Sequence, residues 1–141
     1  MTAVDDELRR LLLEARTIAV VGLSDKPERD SNEVARYLKE HGYRIVPVNP
    51  TLKSVLGEWC YPSLADIPKE IPIDIVDIFR RSSEVPPIVD AAIARGVRVV
   101  WMQLGVENPP AAEAARARGL TVIENLCIMQ QHRRLGLGAV H

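Results

Sequence analysis

The sequence predicts an α/β fold, a five-stranded parallel sheet with helices on both faces. Two observations carry that prediction. Short runs rich in β-branched residues alternate with longer stretches of helical spacing, at a repeat of roughly 25 residues, the pattern of successive βαβ units. The short runs are also apolar at nearly every position instead of every second one, as strands are when both sheet faces are covered. With right-handed crossovers the architecture is a Rossmann-like three-layer sandwich, and all 141 residues fall in one domain.

The elements follow in order. Residues 5–15 form a helix with Leu8, Leu11 and Leu12 on one face, and Thr17–Val21 is the first strand. A second helix over 31–41 gathers Val34, Tyr37 and Leu38. Asp30 and Glu33, three residues apart, form a capping box at its start. The second strand is Arg44–Val48. The connection from 49 to 71 carries Pro50, Pro62 and Pro68, which leaves room only for a short helix over 63–67. Strands over 73–78, 97–102 and 120–123 then alternate with helices over 85–95 and 110–118. Gly42, Gly96 and Gly119 stand just past three helices, where the left-handed backbone of a C-terminal cap suits glycine. Asn108 before Pro109 and Pro110 is an N-cap with proline in the first turn. Asn125 caps a last helix that runs through Met129 to about Arg134.

Composition narrows the function. Lys plus Arg number 18 and Asp plus Glu 19, a formal net charge of −1. That balance argues against a nucleic-acid or anionic-membrane partner, which calls for net positive charge. No apolar run reaches the length of a membrane span. Asp5, Asp6 and Glu7 oppose the basic start of a signal peptide, so the expected location is cytoplasmic. Cys60 and Cys127 stand far apart, in neither disulfide-type nor metal-type spacing. Near-neutral charge and the alanine-rich stretch at 111–117 are compatible with a homo-oligomer or an unidentified protein partner.

In such sheets ligands bind beyond the carboxyl ends of the strands, near the switch in strand order. After the first strand, Gly22-Leu23-Ser24-Asp25-Lys26-Pro27 occupies the place of a dinucleotide fingerprint but retains only its first glycine. Ser24, Lys26, Arg29 and the helix start at Ser31 and Asn32 offer hydroxyls, charge and amides to a phosphate. The second strand ends Val48-Asn49-Pro50, without the acid that would bond a nicotinamide cofactor's ribose. Its prolines offer a stiff surface for a flat ring. The third ends Ile78-Phe79-Arg80-Arg81, two arginines suited to phosphate beside the chain's one phenylalanine. The fourth ends at Gln103, with Gly105 permitting close backbone approach. No histidine stands at a strand end beside a nucleophile, so no catalytic set assembles. Cys127 lies near the right edge, and its simplest role is that of a small buried hydrophobe.

Taken together, Ala19-Val20-Val21-Gly22-Leu23-Ser24, Ser31-Asn32, Val46-Pro47-Val48-Asn49-Pro50, Asp77-Ile78-Phe79-Arg80, Trp101-Met102-Gln103-Leu104-Gly105 and Glu124-Asn125-Leu126-Cys127 resemble the small stand-alone CoA-binding proteins. Those proteins are in turn similar to the N-terminal domain of the succinyl-CoA synthetase alpha subunit. The resemblance implies a CoA or acyl-CoA ligand, with the Gly22–Ser24 loop near its phosphates. It also implies that the edges at Val48–Pro50, Ile78–Arg81 and Gln103–Gly105 line the pocket. The synthetase's phosphorylated histidine belongs to a second domain with no counterpart in this chain, so binding without catalysis is the expectation. The alternatives are a small nicotinamide-dependent oxidoreductase, an acyl-CoA enzyme using Cys127, and an interaction module that has lost its ligand.

Overall fold

The computed structural model describes residues 2–141. Helix α1 (Ala3–Glu14) starts at Thr2, whose hydroxyl accepts the Asp5 amide at 3.1 Å. Strand β1 (Thr17–Val21) follows, buried at every position. Next come α2 (Asp30–Glu40) and β2 (Arg44–Val48). A hairpin of β3 (Ser54–Val55) and β4 (Glu58–Trp59) precedes β5 (Ile75–Ile78). The chain ends with α3 (Val85–Arg95), β6 (Val99–Met102), α4 (Pro109–Ala117), β7 (Thr121–Ile123) and α5 (Ile128–Arg134).

Five strands form one parallel sheet in the order β2-β1-β5-β6-β7. The chain runs outward from β1 to β2 and then returns to the other side of β1, so the order switches between β1 and β5. That is where an open α/β sheet leaves a crevice at its carboxyl edge. Strand periodicity separates two cores. Ile18 and Val20 face α1, α2 and α5, together with Leu12, Leu38, Trp101 and Ile128. Ala19 and Val21 face α3 and α4, together with Val89, Ala92, Ala112 and Val100. Both faces of β1 are covered, which is why its five residues are all apolar or, at Thr17, buried.

Four local expectations change. Asp30 and Glu33 do not form a capping box: Arg29 is the N-cap and Asp30 is already helical. The Arg29 carbonyl takes the Asn32 and Glu33 amides, both at 3.1 Å, while Ser31 and Asn32 turn back onto the preceding loop. Asn125 does not cap the last helix. It sits at φ 57, its side chain accepting the Gly105 amide at 2.7 Å, and Cys127 is the N-cap. The connection from 49 to 71 holds the β3–β4 hairpin as well as a 3-10 turn over Leu64–Asp66. Its two-residue turn places Leu56 (φ 54) and Gly57 (φ 77) in left-handed backbone. Asparagine-glycine usually marks such a turn, and leucine hides it. Lys39 holds it down through the Leu56 carbonyl at 2.6 Å and Glu58 at 2.9 Å. Lastly, three strands begin one or two residues late, and at β5 the cause is visible. Asp74 is used as a side-chain acceptor, taking the Arg16 and Thr17 amides at 2.9 Å each. The Asn108 cap stands as expected, accepting the Ala111 amide at 3.1 Å.

Candidate functional site

The edge of the sheet at the β1–β5 switch is built around one glycine. Gly22 has φ +88, and a Cβ on it would lie 2.3 Å from the Phe79 carbonyl oxygen and 2.9 Å from Cδ of Arg80. The Phe79 carbonyl cannot easily withdraw, because the Phe79 amide donates to the Val21 carbonyl at 2.8 Å and the Gly22 amide to the Val48 carbonyl at 2.8 Å. Glycine is demanded here by backbone meeting backbone.

The loop beyond Gly22 is held from the start of α2. The Ser31 hydroxyl accepts the Ser24 amide at 3.0 Å, and the Asn32 side chain donates to the Ser24 carbonyl at 2.8 Å. The Ser24 hydroxyl accepts the Lys26 amide at 3.1 Å. Asn49 reaches across from β2 to donate to the Leu23 carbonyl at 3.0 Å. Its side-chain oxygen, Oδ1, accepts the Thr51 amide and hydroxyl at 2.9 and 2.8 Å. Asn32 and Asn49 therefore shape the loop. No hydrogen bond among the described residues uses the Asp30 or Ser31 amides, the first two of α2 and so groups a helix leaves without intrahelical partners.

Connected clefts surround this point. A polar one of about 590 Å³ is lined by Gly22, Ser24, Lys26, Arg29 and Ser31, with Glu28 and Asp30 also on its wall. An apolar one of about 530 Å³ shares Gly22 and is bounded by Val48, Pro50, Leu64, Pro87, Ile88 and Ala91. A third, of about 430 Å³, lies past Arg80 and Arg81 toward Gln103, Leu104 and Val106. A small cavity of about 160 Å³ includes Phe79, Leu104 and Cys127. Phe79 belongs to the polar cleft, the third cleft and the small cavity, and Arg80 joins the first apolar cleft to the third.

Of the residues singled out in the sequence, Gly22, Ser24, Lys26, Ser31, Val48, Pro50, Phe79, Arg80, Arg81 and Gln103 stand on these walls. Leu23 and Ile78 are fully buried in the two cores. Gln103 is nearly so, and its Oε1 accepts the Ile128 amide at 3.0 Å, closing the start of α5. Gly105 has open space around its α-carbon and serves the turn through its φ of +87. Arg80 meets Glu84 at 3.3 Å, both partly exposed.

The apolar cleft's outer wall, at Leu64, Pro87, Ile88 and Ala91, was not foreseen. It depends on Arg95, whose guanidinium donates to the carbonyls of Leu64 (3.3 Å), Ile67 (2.7 Å), Pro68 (2.7 Å) and Ile71 (2.9 Å). One arginine thereby pins the proline-rich segment against α3. Nothing in local sequence marks it, since a single arginine at a helix end is the ordinary partner of the helix dipole.

The CoA binding domain family model matches residues 16–133, from the first strand through the last helix. The chain belongs to the CoA-binding domain family. Among its relatives, the uncharacterized protein YneT of Bacillus subtilis (strain 168) is 40% identical over 126 residues, 89% of this chain and 92% of YneT. An ADP-forming acetate–CoA ligase II of Archaeoglobus fulgidus is 30% identical over 91 residues, 63% of this chain and only 13% of the ligase. Among solved structures, a hypothetical protein from Pyrococcus horikoshii OT3 matches with TM-score 0.90 and 44% identity, covering 96% of this chain and 92% of that one. The dinucleotide-forming acetyl-coenzyme A synthetase 1 of Ca. Korarchaeum cryptofilum, solved with phosphate and ADP, matches with TM-score 0.70 and 26% identity. That match covers 82% of this chain and 26% of the synthetase chain.

Two buried polar features of this CoA-binding domain lie off the clefts. Asp77, on β5 between Val20 and Trp101, is fully buried, and neither carboxyl oxygen has a partner among the described residues. Burial pushes its carboxyl well above the usual carboxylate range. The chain's three histidines gather at the far end of α2. His132 is fully buried, with Nδ1 2.7 Å from the Tyr37 hydroxyl. His41 stacks on Tyr37 at 3.9 Å, and His141 lies edge-on to Tyr43 at 6.1 Å. Burial and then the neighbouring His41 lower the His132 pKa. The 11 residues of α2 separate this cluster from the loop by about 16 Å of helix.

Proposed function

We infer that the chain binds CoA or an acyl-CoA at the carboxyl edge of its sheet and performs no catalysis of its own. The observation that carries this reading is the junction at Gly22 of a polar cleft bearing Lys26, Arg29 and Ser31 with an apolar cleft walled by Val48, Pro50 and Leu64. A ligand with a pyrophosphate, a flat base and a long arm matches that pairing. The pyrophosphate meets Lys26, Arg29 and the first amides of α2, where the helix dipole favours an anion. Adenine rests against Val48 and Pro50, and the arm passes Phe79 and Arg80 toward Leu104. Arg81, exposed on the third cleft, is the arginine offered to the 3′-phosphate.

A nicotinamide ligand fits less well. The residue at the end of β2 is Asn49, and its side chain already bridges Leu23 and Thr51. The histidines stand together at the opposite end of α2, which supports binding without acid–base chemistry.

Thermal melting with CoA, dephospho-CoA, acetyl-CoA, NADH and NADPH tests the reading. At 100 times its dissociation constant a ligand adds about 2.7 kcal/mol, a Tm rise of roughly 8 °C at this size. A rise with CoA and none with the nicotinamides is expected, and Arg81→Ala should erase the preference for CoA over dephospho-CoA. A response to a nicotinamide without one to CoA overturns the reading.

A further inference from the structure

The loop between β1 and α2 keeps only the first glycine of a dinucleotide fingerprint, so its peptides are oriented by other means. Side chains hold its carbonyls. That of Ser24 accepts Nδ2 of Asn32 at 2.8 Å, and that of Pro27 accepts Nη2 of Arg36 at 3.0 Å. Nε of Arg36 donates to Oδ1 of the same Asn32 at 2.8 Å. A guanidinium can only donate, so Arg36 fixes which end of the Asn32 amide faces the loop. One side chain of α2 thus governs two peptides, Ser24–Asp25 directly through Asn32 and Pro27–Glu28 by its own hydrogen bond. Those two peptides carry the Asp25 and Glu28 amides, and no hydrogen bond among the described residues uses either. In a planar trans peptide the N–H points opposite to the C=O. Tying the oxygens toward α2 therefore turns these amides the other way.

We propose that Arg36 is a positioning residue for the pyrophosphate of a CoA ligand, holding the Asp25 and Glu28 amides available to it. The proposal rests on the CoA reading above and adds a residue outside the wall of the polar cleft. Side-chain charge on that wall cancels, Lys26 and Arg29 against Glu28 and Asp30. What favours an anion there is the backbone, with N–H groups offered and oxygens already engaged. No carboxylate pairs with Arg36 among the described residues, so its charge is not spent on an ion pair elsewhere. Without the guanidinium the Asn32 amide is free to turn over and the Pro27 carbonyl to rotate. Each peptide that rotates withdraws an amide and presents an oxygen, whose partial negative charge repels a phosphate.

Titration calorimetry of the full chain, Arg36→Ala and Arg36→Lys with CoA and dephospho-CoA tests this, with Tm measured on each variant. Arg36→Ala should weaken both ligands by about tenfold, the combined worth of two modest hydrogen bonds. The preference for CoA over dephospho-CoA should stay within about twofold of the parent's, because both carry the pyrophosphate and only the 3′-phosphate separates them. Arg36→Lys should recover part of the loss, since an ammonium lacks the planar fork that reaches Asn32 and Pro27 together. Hydrogen exchange in Arg36→Ala should quicken over residues 23–29 and stay unchanged in the sheet. A lowered Tm with CoA affinity within about twofold of the parent's makes Arg36 merely structural and overturns the proposal. A loss confined to CoA, with dephospho-CoA unaffected, places the effect at the 3′-phosphate and overturns it as well, while CoA binding stands. Absence of any affinity of the parent chain for CoA overturns the reading on which it rests, and the proposal with it.

Discussion

Replacing Gly22 with alanine separates two reasons for a glycine. The new Cβ would lie 2.3 Å from the Phe79 carbonyl oxygen and 2.9 Å from Cδ of Arg80, at a backbone φ of +88. The positive φ alone costs a side-chain-bearing residue about 1–2 kcal/mol. The arginine stem can swing away, but the Phe79 backbone is tied to Val21. Moving it disturbs the β1–β5 pairing, an overpacking cost of about 1–3 kcal/mol. The sum, about 2–5 kcal/mol, lowers Tm by roughly 7–17 °C. Gly105 provides the control, because its φ is +87 and nothing lies within 4 Å of its added Cβ. Gly105→Ala should lose about 1–2 kcal/mol and no more. Urea and thermal unfolding of both variants, followed by far-ultraviolet circular dichroism, measure the difference. If the two fall within about 1 kcal/mol of each other, the close approach of β1 to β5 is not what requires glycine, and the steric argument fails.

Three further outcomes are expected. Asp77 has a folded-state pKa raised above its ordinary 3.8, so its contribution is fully present below that value and is lost as pH rises toward the folded pKa. Asp77→Val should therefore gain on the parent by about 1.4 kcal/mol per pH unit across that window, and a difference constant between pH 4 and 7 in urea unfolding would refute it. His132 has its pKa lowered from 6.5, so its contribution holds above that value and is lost as pH falls below it. His132→Leu should flatten the acid limb of the stability profile, whereas an unchanged limb would place that sensitivity elsewhere. Arg95→Ala removes donors from four carbonyls and should cost about 2–3 kcal/mol. Hydrogen exchange should accelerate over residues 64–71, and Arg95→Lys should recover only part, since an ammonium cannot span the four as a planar guanidinium does; full recovery would discount the fork geometry.

The parts of the fold that depend on near neighbours were legible in the chain. Val and Ile runs read as strands, and the Asn108-Pro109-Pro110 start and the Gly96 end read as helix limits, because caps and periodicity act within a few residues. The candidate site was legible to the level of which strand ends would carry it, since topology alone places the crevice. The roles it left open have a common origin. Asn125, Gln103, Asn49 and Arg95 are polar residues whose sequence neighbourhood suits several roles. Each is engaged by a backbone group 20 or more residues away. The Leu56-Gly57 turn failed for a different reason: the structure holds leucine in a conformation its own preference opposes, helped by Lys39.

What the sequence alone determined, then, is the alternation of buried strands and amphipathic helices and the set of strand ends that can face a ligand. Local hydrogen bonds and hydrophobic periodicity decide both. Tertiary contacts set β1 and β5 side by side, left Gly22 no room for a Cβ, and brought the polar and apolar clefts together there. They also decided which hydroxyls, amides and guanidinium groups are already engaged by the fold. Those outcomes depend on atoms brought together from distant parts of the chain, and a polar atom's availability to a ligand is settled only when every partner within about 3 Å has been placed.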